Sequence, residues 1–180
     1  MRQDGRTKVS LHQGTSDAVD AIIEAWRRER PDLDPTAKHV TGRVVRLGGI
    51  FQATYAATFE PLGINDGDYG VLATLRRAGE PHQLTPTDLA RHRMMTSGGM
   101  TAAIDRLERK GLVTRRPNPS DRRGTLIALT DEGRRVVDEA MALHTDAEQR
   151  LVGGLTAKER DQLERLLRKL LLSLDPPSRG

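Results

Sequence analysis

The sequence predicts a mainly α-helical fold carrying one small β-hairpin, and three observations lead there. Aromatic residues make up only 3% of the 180-residue chain against 36% apolar, so a core must come from Leu, Val, Ile and Ala. That composition suits packed helices better than an aromatic-rich pair of sheets. Most of the chain repeats its apolar positions at helical steps, and only residues 112–129 break the rhythm with two β-rich runs around a cluster of turn formers.

Taken in order, residues 1–14 are polar and read as disordered, with no apolar segment of signal-peptide type. Ser16 can cap a first helix that carries Val19, Ile22, Ile23 and Trp26, ended by Pro31. Asp34-Pro35 opens a second helix with the stripe Val40, Val44, Leu47, Phe51 and Tyr55, closed at Pro61 to Gly63. A third runs from Asp66 to Ala78 with Val71, Leu72 and Leu75 inside, and Gly79-Glu80-Pro81 breaks it. Thr85-Pro86-Thr87-Asp88 combines a threonine cap, an N1 proline and an acid, and starts a short helix that turns Leu89 and Ala90 inward.

After a turn at Met94-Met95-Thr96, Thr96 can cap a helix from Ser97 to Lys110, stopped by Gly111. Its stripe is Met100, Ile104 and Leu107, and its opposite face shows Ser97, Gly98, Thr101, Ala102 and Asp105. Two short helices joined by a tight turn, the second bare and polar at its N-terminal end, fit a helix-turn-helix. Leu112–Arg116 and Thr125–Leu129 then form a hairpin wing around the charged segment 117–124. Thr130-Asp131-Glu132 caps the next helix, which runs towards Leu151. Thr156 starts the last, whose leucines at 163, 166, 167, 170, 171 and 174 need a core or a partner.

Charge placement points to a polyanion. Nine basic and three acidic residues fall between Arg91 and Arg123, an excess of six where the whole chain carries only +4. A concentrated excess is the footprint of nucleic acid, although a basic run can equally be a solvated face. The helix Ser97–Lys110 would enter a major groove, with Ser97 and Thr101 bonding bases or phosphates. Gly98 and Gly99 would permit close backbone approach, or simply shape the turn. Ala102 and Ala103 are small where long side chains would read bases. Thr85 and Thr87 are candidate phosphate contacts, and Arg122 and Arg123 at the wing tip are candidate DNA contacts, for which a solvated tip is the alternative. Arg115 and Arg116 are strand neighbours, so one of them can face DNA, and Arg115 is the candidate. Arg106, Arg109 and Lys110 are divided between ion pairs and DNA.

Other classes are poorly served. Cysteine is absent, which removes disulfides, thiolate metal sites and a cysteine nucleophile. His12, His39, His82, His92 and His144 share no metal spacing, and no phosphate-cradling loop or nucleophile elbow appears, so neither catalysis, a metal nor a cofactor is expected. No run of about 18 apolar residues offers a membrane span, and a cytoplasmic, nucleoid-associated protein is expected. A winged helix used only for protein contact is the rival, and a basic wing disfavours it.

Residues 36–174 resemble the MarR family of bacterial regulators. The resemblance rests on Leu84-Thr85-Pro86 through Leu89-Ala90, Thr96-Ser97-Gly98-Gly99-Met100-Thr101 and Ile104-Asp105-Arg106-Leu107-Glu108. It continues in Lys110-Gly111-Leu112-Val113, Asp121-Arg122-Arg123 and Leu129-Thr130-Asp131-Glu132-Gly133. Trp26 with residues 29–34 is similar to the urate-responsive, PecS-like branch. The resemblance implies N-terminal helices over 15–62, a winged helix-turn-helix DNA-binding domain over 63–130 and C-terminal dimerisation helices over 131–175. It implies a homodimeric repressor on a palindromic, double-stranded DNA operator, released by a small molecule. Asp121 would orient Arg123 for minor-groove insertion. The effector would be urate or another planar or phenolic anion. Trp26 would stack on it, and Asp68 would gate it through a charge pair with Arg46 or Arg91. A core tryptophan and a capping aspartate are the alternatives.

Overall fold

The computed structural model describes residues 16–93 and 97–175, and among these the side chains of all but 92, 93, 97, 98, 122 and 123. The expected disorder of residues 1–14 and the Met94–Thr96 turn with its Thr96 cap lie outside the described residues. The described elements are α1 (Ala18–Glu29), α2 (Lys38–Phe59), α3 (Asp66–Arg77), β1 (Gln83–Leu84), α4 (Pro86–Arg93), α5 (Ser97–Arg109), β2 (Val113–Asn118), β3 (Asp121–Leu129), α6 (Asp131–Leu151) and α7 (Ala157–Leu174). The chain divides into two compact units at Ile50/Phe51, inside α2.

In the first unit, Asp17 rather than Ser16 caps α1. Its carboxylate accepts from the Val19 and Asp20 N–H groups, and the Asp17 N–H donates back to Asp20. The side chain one position later wins because it reaches both orphan donors of the first turn. Asp34 caps only a turn, accepting from the N–H and hydroxyl of Thr36, so α2 starts at Lys38 and not at Pro35. Helix α1 crosses α2 closely at Gly42, where a Cβ would stand 2.9 Å from Val19 Cγ1. Arg43 ties the pair further, donating to Asp17 at 2.9 Å and to Asp20 at 2.7 Å. That hydrogen bond from Arg43, with one from the Asp17 backbone, holds the Asp20 carboxyl below the usual carboxylate range. The expected stripe is only partly inside: Val40, Val44 and Leu47 are about half exposed, and so is Trp26.

The second unit holds the main core. Phe59, Val71, Leu72, Leu75, Leu89, Met100, Ile104, Leu107, Ile127, Val137 and Ala140 form one buried cluster, with Ala90 packed against it. Gly63 and Gly111 adopt left-handed φ of 65° and 70°, which closes the 3₁₀ turn Glu60–Leu62 and the end of α5. The sheet has three antiparallel strands in the order β1-β3-β2. The first was not legible in the sequence. Gln83 and Leu84 pair with Ala128 and Ile127, and two residues are too few to show a period.

Thr130 fastens α6 to this core. Its hydroxyl accepts from the Gly133 N–H at 2.9 Å and donates to the Gly111 carbonyl at 2.7 Å. Gly133 lies against the Leu112 carbonyl so closely that a Cβ would be 1.9 Å from its oxygen. Gly133→Ala must therefore push backbone from backbone. It should cost about 2 kcal/mol and lower Tm by roughly 4–8 °C, read by thermal unfolding.

Candidate nucleic-acid interface

Helix α4 begins with a reciprocal cap. The Thr85 hydroxyl accepts from the Asp88 N–H at 3.1 Å and donates to the Asp88 carboxylate at 2.7 Å. This hydroxyl is spent on the helix start, which revises the expectation that Thr85 reaches phosphate; Thr87 in the same turn is exposed. Arg91, itself exposed, donates to Asp88 at 3.0 Å along the helix surface.

Helix α5 buries Met100, Ile104 and Leu107 as its spacing predicts. Ala103 joins them at 1% exposure, so it is a core residue and not a surface alanine where base readout is missing. Thr101, Ala102, Asp105 and Arg109 are exposed. The backbone of Ser97 and Gly98 forms the first turn of α5. Their side-chain roles lie outside the described residues.

The C-terminal half of α5 is pinned by a buried carboxylate. Asp68 is fully excluded from solvent. It accepts from Arg106 Nε at 2.8 Å and Nη2 at 2.7 Å, and from Lys110 Nζ at 3.1 Å. Lys110 also donates to the Gly63 carbonyl at 2.6 Å. Asp68 completes the capping box of α3, whose N-cap Asn65 accepts from its N–H at 2.8 Å. The expected pairing of Asp68 with Arg46 or Arg91 is thus replaced by Arg106 of α5 and Lys110 in the turn just past its end, four residues apart.

The wing is longer than the sequence reading allowed. Strands β2 and β3 pair in regular register from Val113↔Leu129 to Pro117↔Thr125, then skip to Asn118↔Asp121. The turn is only residues 119 and 120, with Asn118 Oδ1 accepting from the Ser120 N–H at 3.0 Å. Residues 122–124 are therefore an insertion within β3 and not part of an open 117–124 loop. Bulges of this kind re-aim side chains and increase twist. Arg122 and Arg123 sit on this insertion by their backbone, while their side chains lie outside the described residues. Gly124 closes it, since a Cβ there would crowd the Asp121 carboxylate at 3.0 Å and Asn118 at 3.1 Å.

Arg115 departs from its expected role. Its Nη2 donates to Asp105 at 2.5 Å, and its Nη1 and backbone N–H donate to Glu108. The bond from Asp105 raises the guanidinium further above its ordinary value, against a smaller opposing effect of desolvation. Among the described side chains of this region, Arg91, Arg106, Lys110 and Arg115 are held in ion pairs within the chain. Arg109 and Arg116 are exposed.

Comparison with known proteins agrees with this geometry. A model described as MarR family matches residues 62–124. The chain is 32% identical over 149 residues to the HTH-type transcriptional regulator PecS of Dickeya dadantii, covering 83% of this chain and 90% of PecS. This chain belongs to the MarR family. Among solved structures, the MarR-family regulator Sco3205 of Streptomyces coelicolor in complex with DNA superposes with a TM-score of 0.71, at 27% identity over 82% of this chain and 94% of that one. A mutant MarR of Escherichia coli complexed with operator DNA gives 0.66, at 31% identity over 81% and 97%. PecS among the relatives accords with the PecS-like character of the N-terminal residues.

Asp68 tests how the MarR-type lobe holds its recognition helix. Asp68→Asn keeps the shape and leaves Arg106 and Lys110 without their anion. Breaking a wholly buried pair costs roughly 3–5 kcal/mol. Both cations are about one-third exposed and can turn to water. The expected loss is therefore about 2 kcal/mol in chemical denaturation, and an unchanged midpoint would mean the bridge contributes nothing.

Proposed function

We propose that this MarR-family regulator is a homodimeric repressor that grips a palindromic operator with α5 in the major groove and the wing in the adjacent minor groove. One observation carries the reading. Helix α5 is buried on the Met100–Ile104–Leu107 side and exposed on the Thr101–Ala102–Asp105 side, beside a hairpin whose backbone carries residues 122 and 123 on a bulge. Base and phosphate contacts fall to Ser97, Gly98, Thr101 and Thr87, and wing contacts to Arg122, Arg123 and the exposed Arg116. Sparse long side chains on α5 shift weight from base readout to groove shape and phosphate charge. The exposed leucines of α7 and the half-exposed apolar residues of α1 and α2 supply the self-association surface. Pairing should set the two recognition helices about 34 Å apart, one duplex turn.

Binding should be steeply salt-dependent. With six or more phosphates neutralised per dimer, affinity should fall about 10³-fold between 50 and 200 mM salt. Arg122→Ala and Arg123→Ala should each weaken binding by about 1 kcal/mol or more with unchanged Tm. Fluorescence anisotropy on labelled DNA flanking its own gene reads both, and a flat salt response would return the wing to protein contact.

For the effector, a cleft of the first unit supports the reading of a small planar anion. Arg46 lines a cleft of about 430 Å³ with Ala18, Val19, Ile22, Thr41 and Val45. Trp26 stands exposed on the same α1. A permanent cation in a cleft lined by apolar side chains suits a planar anion such as urate or a phenolic acid. Asp68 and Arg91, already paired, would respond to it indirectly. Trp26 is the sole tryptophan, so the ligand should quench its fluorescence and release DNA over the same concentration range. Quenching without release would make the cleft a bystander.

A further inference from the structure

The recognition helix carries two acids, Asp105 and Glu108, a poor choice for an element brought close to phosphates. Both are bound by one side chain from another element. Arg115, in β2 at the base of the wing, spans them with separate guanidinium nitrogens, and its own N–H adds a bond of 3.3 Å to Glu108. The three side chains remain 37–52% exposed, so the cluster lies at the surface and not in the core. Arginine has the planar fork needed to hold two carboxylates at once, which lysine lacks.

We infer that Arg115 is a positioning residue that locks the wing to the recognition helix, with Asp105 and Glu108 as its latch, so that helix and hairpin meet adjacent grooves as one body. The acids are there to be clamped and not to read bases, which explains their presence on a DNA-facing helix. This rests on the DNA-binding reading above. It adds something that reading does not require: removing two negative charges from the DNA side should weaken binding.

Simple charge counting says the opposite, so the sign of one measurement decides. Asp105→Asn/Glu108→Gln is a surface change that leaves the core intact. With Tm unchanged, it should bind operator at least threefold more weakly than the unaltered dimer. Arg115→Ala should lose a similar factor, and the triple variant no more than either, since all three break one unit. The slope of log Kd against log salt should stay the same in Arg115→Ala. A double variant that binds equally or more tightly overturns the latch. So does a slope reduced by about 0.9 in Arg115→Ala, which would mark Arg115 as a phosphate contact. If the unaltered protein shows no salt-steep binding at all, the DNA-binding reading has failed and the latch with it.

Discussion

A carboxylate sealed from water is costly unless it is paired, and that constraint at Asp68 ties α3 to α5 in the second unit. Its partners, Arg106 near the end of α5 and Lys110 just past it, are four residues apart, so satisfying Asp68 holds the C-terminal end of that helix in place. The apolar seam of Met100, Ile104 and Leu107 then sets its rotation about its own axis. Together they hold one face of α5 in the lobe and leave the other bare. A recognition helix needs this division, because groove contacts depend on which residues face outward.

The remaining charge follows a similar economy. Arg91 stabilises the start of α4 through Asp88, and Arg115 joins the wing base to α5. Among the described side chains of this segment, Arg109 and Arg116 are exposed. The raw excess between Arg91 and Arg123 therefore overstates the charge that is not already paired within the chain.

Outside the lobe, the apolar residues tell a different story. The leucines of α7 are 41–74% exposed, and Ile22, Val45 and Ile50 are similarly open. So broad an apolar surface is not stable against water on its own. The same helical steps that bury residues in the core leave these exposed.

The order of elements, the caps at Thr130 and Thr156, the seam of α5 and the left-handed stops at Gly63 and Gly111 were legible from spacing and residue type alone. They obey local rules of period, capping and φ, which act over a few residues. Asp17 in place of Ser16, the late start of α2 at Lys38 and the short β1 were decided by neighbours that spacing does not reveal. The charged residues divided most sharply. Sequence could list Arg106, Lys110 and Arg115 as basic and near the recognition helix. Only the fold could assign the first two to Asp68 and the third to Asp105 and Glu108, because an ion pair depends on a few ångströms between segments up to 42 residues apart.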